Sequence, residues 1–200
     1  MRRPTTLFLV RHGETPRPGY CNGHRNVDLT PAGVVEMEAM GRRLAGEGIA
    51  SLYTSDLTRA VHASEIIGCA LGLTPIVSAR LREKSFGVWE GVSEEEIRAR
   101  YPDEWKEWMS NPGDARPTGG ETFREMAQRV LAELDGMLER HAGEKTAIVS
   151  HGGVNRVILC HALNLDLRHL HRLGQGHAAL NIIEYSENEA VVRLMNGSLS

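Results

Sequence analysis

The 200-residue chain lacks the features that mark membrane, secreted and nucleic-acid-binding proteins. Its longest apolar runs fall well short of the roughly 20 residues of a membrane-spanning helix, and the one near the amino terminus is too short for a secretory signal. Cysteine is scarce: Cys21, Cys69 and Cys160 are odd in number and far apart, which predicts a reduced, cytoplasmic protein rather than a disulfide framework. A formal net charge of −3 offers no basic field for nucleic acid.

Lysine is also scarce. Of the 23 basic residues only three are lysines (Lys84, Lys106 and Lys145), and the others are arginines. Arginine suits forked binding of carboxylate and phosphate, but a compositional bias explains the count equally well. The arginines therefore become informative only where the fold places them.

What the chain does contain is a regular alternation of β-type and helical patterns. Short apolar runs predict strands at residues 6–10, 51–54, 75–78 and 146–149. Apolar residues three and four apart predict helices at 31–47, from about 56, at 123–138 and at 154–163. Residues 180–185 and 190–195 alternate around the turn at 186–189, as in a closing hairpin. Together these patterns predict a three-layer α/β/α sandwich with a mostly parallel sheet, formed by a single domain over residues 1–200.

Residues 86–120 depart from this alternation. They hold all three tryptophans, two short predicted helices and a Ser93–Glu96 capping box, and they end in a turn-rich stretch. We interpret the segment as a helical excursion within the domain, lying over the active-site edge of the sheet.

Unusual residues follow three of the predicted strands. Arg11-His12-Gly13 follows the first strand, Arg59 lies just after the second, and His151-Gly152 follows the fourth. Because the carboxyl ends of parallel strands meet at one edge, where ligands bind in open α/β folds, we expect these residues to converge. The sequence thus predicts one site built from two histidines and two arginines.

The residue types indicate the chemistry of this site. Arg11 and Arg59 suit phosphate oxygens, and a neutral His12 beside a bound phosphate is a nucleophile. His151, if protonated, would stabilise charge on the transferring oxygens. Glu83, at the end of the third strand by chain position, is the candidate general acid. A zinc site is not expected, because the remaining histidines of the carboxyl-terminal third lack ligand spacing: His161, His169, His171 and His177.

Five ordered motifs carry a resemblance to a known family. They are LVRHGET (9–15), SDLTRA (55–60), LREKSFGVWEG (81–91), GGE (119–121) and SHGG (150–153). In this order they resemble the histidine phosphatase superfamily, the phosphoglycerate mutase-like proteins. The resemblance implies that fold, a phosphorylated His12, Glu83 as proton donor, and a phosphate pocket of Arg11, Arg59 and His151. It implies neither a metal nor a dissociable cofactor.

Within that family, the stretch after Glu83 resembles the phosphatase branch, and the combination of motifs resembles α-ribazole phosphatases. A small phosphomonoester is the implied partner; a phosphoglycerate mutase and a catalytically silent phosphate-binding protein are the alternatives. Asn22, Gly23 and Gly152 match substrate-contacting positions, although Pro18 stands where many members have asparagine. The sequence leaves oligomeric state open, including a homodimer.

Overall fold

A six-stranded sheet forms the centre of the computed structural model, which describes residues 3–17, 19–187 and 189–198. Its strands are β1 Thr5–Arg11, β2 Ser51–Thr54, β3 Ile76–Val77, β4 Lys145–Ser150, β5 Leu180–Tyr185 and β6 Ala190–Gly197. They lie in the order β3-β2-β4-β1-β5-β6; the first four are parallel, and the β5–β6 hairpin is antiparallel. The mostly parallel sheet and the closing hairpin are confirmed, while the third strand is shorter than predicted. Two residues named in the sequence analysis lie outside the described residues: Pro18, and Asn188 of the predicted turn at 186–189.

Six α-helices connect the strands over these described ranges. They are α1 Pro31–Leu44, α2 Thr58–Leu71, α3 Glu94–Arg100, α4 Pro102–Ser110, α5 Phe123–Arg140 and α6 Gly152–Ala162. The predicted capping box is confirmed at the start of α3, where Ser93 exchanges hydrogen bonds with Glu96, and Thr122 and Glu125 form a second one at the start of α5. α1 ends three residues before its predicted end, because the chain turns through Gly46 at φ +83°. Within the same ranges, none of the helices has the length and apolar character needed to cross a bilayer.

Alternation along the strands divides the core into two layers, one on each face of the sheet. Leu7 and Leu9 of β1 pack with the buried faces of α5 and α6. Phe8 and Val10 point the other way and pack with α1 and α2. The predicted three-layer α/β/α sandwich is therefore confirmed.

The excursion at 86–120 extends the α5–α6 layer. Trp89 and Trp108 are buried with their ring centroids 5.7 Å apart, and Trp108 lies 5.4 Å from the ring of Phe123 at the start of α5. Trp89 and Trp108 thus attach the excursion to the core.

Sheet register explains why one edge collects the functional groups. Arg11 at the end of β1 pairs with Ser150 at the end of β4, which brings the loops after both strands side by side. The antiparallel strand β5 begins at the same edge, where Leu180 pairs with Val10. Three chain segments therefore meet around the end of β1.

Candidate active site

A cavity of about 390 Å³ opens at this edge of the sheet. It is lined by Arg11, His12, Thr15, Arg17, Gly19, Tyr20, Cys21, Asn22, Gly23, Arg59, Glu83, Phe86 and His177. The structure therefore brings together six of the residues predicted from the sequence. Phe86 is the contribution of the excursion to this lining, and much of the wall is formed by Thr15, Arg17 and residues 19–23.

His12 is buried, and one of its ring nitrogens is fixed by its own loop. Nδ1 lies 2.8 Å from the carbonyl oxygen of Gly13. Because a carbonyl oxygen only accepts, Nδ1 carries the hydrogen and Nε2 carries the lone pair. Burial, followed by the charges of Arg11 and Arg59, lowers the pKa of His12 well below its ordinary value. At neutral pH the imidazole is therefore uncharged, with Nε2 available as a nucleophile toward the cavity.

The loop that carries His12 packs against α1 through two glycines, Gly13 of the loop and Gly33 of the helix, and neither position has room for a side chain. A Cβ on Gly13 would lie 2.4 Å from the carbonyl oxygen of Gly33, in the first turn of α1. A Cβ on Gly33 would in turn lie 2.3 Å from the carbonyl oxygen of Glu14. Backbone contact between this loop and α1 thus sets the position of His12.

Arg59 lines the cavity, is almost fully buried, and is hydrogen-bonded to the loop at residues 22–25. Its Nη1 donates to the carbonyl oxygen of Arg25 at 2.9 Å, and its Nη2 donates to that of Gly23 at 2.8 Å. A guanidinium has five N–H donors, so three remain for a ligand. Arg59 therefore combines an anion-binding role with support of residues 22–25.

Arg11 is the second arginine that lines the cavity. Its Nη1 donates to the carbonyl oxygen of Gln175 at 2.6 Å, whereas its Nε is buried and has no hydrogen-bond partner among the described residues. Burial lowers the pKa of Arg11 to about 10, which still leaves it charged at neutral pH. Two guanidinium groups thus line the same cavity as an uncharged imidazole, an arrangement that favours a bound anion.

His151 lies behind His12, with the two ring centroids 5.3 Å apart. Its Nε2 is 2.7 Å from Ser55 Oγ, and its buried Nδ1 has no partner in the part of the chain that the structure describes. Burial and the nearby charge of Arg59 lower the pKa of His151 well below its ordinary value. The protein surroundings therefore favour a neutral ring, in contrast to the protonated ring expected from the sequence. Neither His151 nor Gly152 is among the described residues that line the cavity.

Glu83 was predicted at the end of the third strand, but it lies farther along the chain, after the single 3-10 turn Ala79–Leu81 that follows this strand. Its carboxylate is held by two backbone N–H groups: Gly153 donates to Oε2 at 2.9 Å and Lys84 donates to Oε1 at 2.8 Å. A Cβ on Gly153 would lie 2.1 Å from Oε1, so glycine is required there for this approach. The carboxyl group thus lies against the start of α6 and also lines the cavity.

The sequence analysis missed His177. Its ring lies 6.0 Å from that of His12, centroid to centroid, and lines the same cavity. The segment that carries His177, just before β5, is hydrogen-bonded to the end of β1: the Ala178 N–H donates to the His12 carbonyl, and the Arg11 N–H donates to the Ala179 carbonyl. The sequence carried only part of the signal: the predicted hairpin follows His177, but no local pattern places its first strand antiparallel beside β1.

Other charged side chains near Glu83 and α6 have structural partners. Arg82, next to Glu83, forms an ion pair with Asp56, and Arg156 Nε donates to the Leu173 carbonyl at 2.8 Å. Cys21 does line the cavity, but burial raises the pKa of its thiol to about 11, which disfavours the reactive thiolate. Over residues 3–17, 19–187 and 189–198, no three His, Cys, Asp or Glu side chains are grouped as metal ligands would be.

An α/β sheet whose edge presents a neutral buried histidine, two arginines and a carboxyl group around one cavity defines an enzyme that handles phosphate esters. The chain belongs to the histidine phosphatase superfamily (branch 1), whose family model matches residues 7–198.

Comparisons with individual proteins agree with this membership. The Yersinia pestis (strain Pestoides F) protein named "Probable phosphoglycerate mutase GpmB" is 34% identical over 187 residues, which cover 91% of this chain and 86% of the relative. The structure of Bacillus stearothermophilus YhfR is 32% identical, with a TM-score of 0.89 and 98% of each chain covered. The α-ribazole phosphatase of Shigella flexneri has the same fold, with a TM-score of 0.87, 24% identity and 96% of each chain covered.

Proposed function

We propose that the protein hydrolyses small phosphomonoesters through a phosphohistidine intermediate on His12, without a metal ion. The observation that carries this proposal is the bond from His12 Nδ1 to the Gly13 carbonyl, which leaves Nε2 unprotonated in a cavity flanked by Arg11 and Arg59. A neutral nitrogen in the same cavity as two cations is suited to attack the phosphorus atom of a bound phosphate dianion.

In the first step the lone pair of His12 Nε2 forms a bond to phosphorus, and the bond from phosphorus to the ester oxygen breaks. Arg11 and Arg59 stabilise the negative charge on the three other phosphate oxygens. The ester oxygen leaves with the electron pair of the broken bond, and it needs a proton unless it belongs to a very acidic alcohol. Protonated Glu83 supplies that proton from the same cavity.

His151 contributes through Nδ1, which has no hydrogen-bond partner among the described residues. An unsatisfied buried polar group costs about 1–3 kcal/mol, and a hydrogen bond to a phosphate oxygen would remove this cost. His151 is not among the described residues that line the cavity, so we propose that Ser55 at Nε2 holds the ring in place and that a phosphate bound at His12, whose ring lies 5.3 Å away, reaches Nδ1. The dianion would also offset the positive surroundings that lower the pKa of this ring.

The second step returns the enzyme to its starting state. Glu83, now a carboxylate, accepts a proton from a water molecule whose oxygen bonds to phosphorus. The bond between phosphorus and His12 Nε2 breaks, and its electron pair returns to the nitrogen. Inorganic phosphate leaves, and Glu83 is again protonated for the next cycle.

For the organic part of the substrate we propose α-ribazole 5′-phosphate or a similar aromatic phosphomonoester. Tyr20 and Phe86 line the same cavity as Arg11 and Arg59, and their rings would provide an apolar wall for a planar base. The Shigella flexneri protein of the same fold is named as an α-ribazole phosphatase.

A phosphoglycerate mutase is the second candidate, because the Yersinia pestis relative carries that name. Arg17, which lines the cavity, would then bind the carboxylate of phosphoglycerate. A silent phosphate-binding protein is the candidate from another class; it is disfavoured by the retention of both His12 and Glu83 around the cavity.

Rapid quenching after brief exposure to a ³²P-labelled monoester tests the mechanism. We expect acid-labile, base-stable label on His12, and a loss of turnover in His12→Ala of at least about a thousandfold. EDTA should leave the rate unchanged. Full turnover in His12→Ala would refute the mechanism, and the absence of turnover in the wild type on any ester would favour a binding protein.

A substrate panel tests the organic part. Values of kcat/KM for α-ribazole 5′-phosphate, 3-phosphoglycerate and 4-nitrophenyl phosphate would rank the candidates. We expect α-ribazole 5′-phosphate to lead. Phosphoryl exchange between the 2- and 3-positions of phosphoglycerate that outpaces phosphate release would instead identify a mutase, and a flat, weak profile would count against both.

A further inference from the structure

The segment that carries Glu83 has no regular secondary structure. Residues 82–86 form neither helix nor strand. Carbonyl groups in such a segment lack a ladder partner and need hydrogen bonds from elsewhere. A proton donor must nevertheless be held within hydrogen-bond reach of the leaving oxygen. Something outside the segment therefore has to fix its backbone.

Arg129, on the second turn of α5, supplies these hydrogen bonds. Its Nη1 donates to the carbonyl oxygens of Arg80 at 2.8 Å and Arg82 at 2.7 Å. Its Nη2 donates to the carbonyl oxygen of Glu83 itself at 2.9 Å. One guanidinium thus binds three carbonyls within four residues.

Glu121 orients Arg129 and binds the same segment from the other end. Its Oε1 accepts from Arg129 Nη2 at 2.5 Å and from the backbone N–H of Ser85 at 2.9 Å. The backbone N–H of Glu121 donates to the Ser85 carbonyl at 3.0 Å. The two charged residues therefore enclose the acid-bearing segment from Arg80 to Ser85.

Lys84 shows how firmly this segment is anchored. Its side chain is fully buried, and its ammonium group donates to the Glu121 carbonyl. The ammonium lies 5.2 Å from the ring centroid of Phe86, 5.0 Å from that of Trp108 and 5.5 Å from that of Phe123. The residue after Glu83 is thus held among aromatic rings of the excursion and α5, so Glu83 is fixed on both sides.

We propose that Arg129, oriented by Glu121, is a positioning residue for the proton donor: it fixes the backbone of Glu83 so that the carboxyl group reaches the leaving oxygen. The inference rests on the proposed role of Glu83 as general acid. It assigns Arg129 no contact with substrate, because Arg129 is not among the described residues that line the cavity. A displacement of about 1 Å at the reacting group can cost about a hundredfold in rate.

The experiment compares two leaving groups in Arg129→Met. Phenyl phosphate needs a proton on its leaving oxygen, whereas 2,4-dinitrophenyl phosphate releases a stable phenolate without one. kcat/KM reports the step that forms the phosphoenzyme, so it is the measurement to use. We expect Arg129→Met to lower kcat/KM for phenyl phosphate by about 10- to 100-fold, and for 2,4-dinitrophenyl phosphate by less than about threefold.

Three further variants make the test specific. Arg124→Met removes an exposed arginine of the same helix, whose partner is Asp114, and should change neither value. Arg129→Lys keeps the charge but cannot reach three carbonyls, so it should show the same selective loss and serves if the methionine variant does not fold. When Arg129→Met is added to Glu83→Gln, kcat/KM for phenyl phosphate should fall by less than about twofold below its value in Glu83→Gln alone, because Arg129 acts only through Glu83.

The possible outcomes separate this inference from the proposed function. Equal losses on both substrates, or an additive loss in the Glu83→Gln background, would overturn the positioning role and leave a structural one. Selective loss in Glu83→Gln without selective loss in either Arg129 variant would overturn only this inference. If Glu83→Gln itself shows no selective loss, the general-acid assignment fails first.

Discussion

Gly153 and Glu83 are in direct contact: the backbone N–H of Gly153, in the first turn of α6, donates to the Glu83 carboxylate at 2.9 Å. The contact requires glycine, because a Cβ at position 153 would lie 2.1 Å from Glu83 Oε1 and 3.1 Å from the ring of Phe123. The start of a helix thus holds the group proposed to deliver a proton.

Gly153→Ala should displace the Glu83 carboxyl group without removing it. We expect kcat/KM for phenyl phosphate to fall by about 10- to 100-fold, and the value for 2,4-dinitrophenyl phosphate to change much less. Circular dichroism should show an intact fold. A variant with wild-type values on both substrates would show that this approach does not matter for the reaction.

Gly33→Ala should disturb His12 from a distance. The new Cβ would force the Glu14 carbonyl, 2.3 Å away, to move, and the loop that carries His12 would move with it. We expect a loss of stability of about 1–3 kcal/mol and a lower kcat on both leaving groups.

Gly136→Ala is the matched control, since the nearest atom to its Cβ is the flexible end of Arg140 at 3.3 Å. A helix-interior change of this kind should stabilise the protein by about 0.5–1 kcal/mol. Urea unfolding and steady-state kinetics measure both variants. Equal behaviour of the two would contradict the packing argument.

Stability should fall as the pH falls below about 6.5. Burial lowers the pKa of His12 and of His151, so in this range the unfolded chain binds protons that the folded chain does not. Between pH 6.5 and 5.5, these two residues should lower the free energy of unfolding by about 2 kcal/mol. Burial also lowers the pKa values of His171 and His177, which adds to this loss. Urea unfolding in phosphate-free buffer measures the slope, which His151→Asn should reduce. A pH-independent stability over this unit would refute the prediction.

Inorganic phosphate should stabilise the protein through Arg59. At about a hundred times its dissociation constant, a ligand adds about 2.7 kcal/mol to the free energy of unfolding, which thermal melting detects as a rise in Tm. Arg59→Met should abolish the rise, whereas Arg98→Met, which removes an exposed arginine paired with Glu94, should keep it. An unchanged rise in the Arg59 variant would move the anion site away from this residue.

The sequence predicts those parts of the site that depend on strand ends. Arg11, Arg59 and His151 follow parallel strands, so their convergence requires only the fold class. His177 was missed because its position depends on β5 running antiparallel beside β1, which local patterns do not specify.

Side-chain environments were harder to predict than positions. Arg129 has the sequence pattern of a solvated helix charge, and its carbonyl partners belong to a segment without regular structure. The expected protonation of His151 overlooked its complete burial beside Arg59. Both results depend on tertiary packing, which determines how much water and charge surround a group.

The two hydrogen bonds from Arg59 to the Gly23 and Arg25 carbonyls have a consequence for how the specificity of this enzyme could diverge. A carbonyl group is common to every amino acid, so the contact constrains the path of the loop but not its side chains. Residues of this wall can therefore be exchanged by mutation while the arginine keeps its orientation. A new leaving group could be accommodated without rebuilding the phosphate site, provided that the loop keeps its length and backbone course.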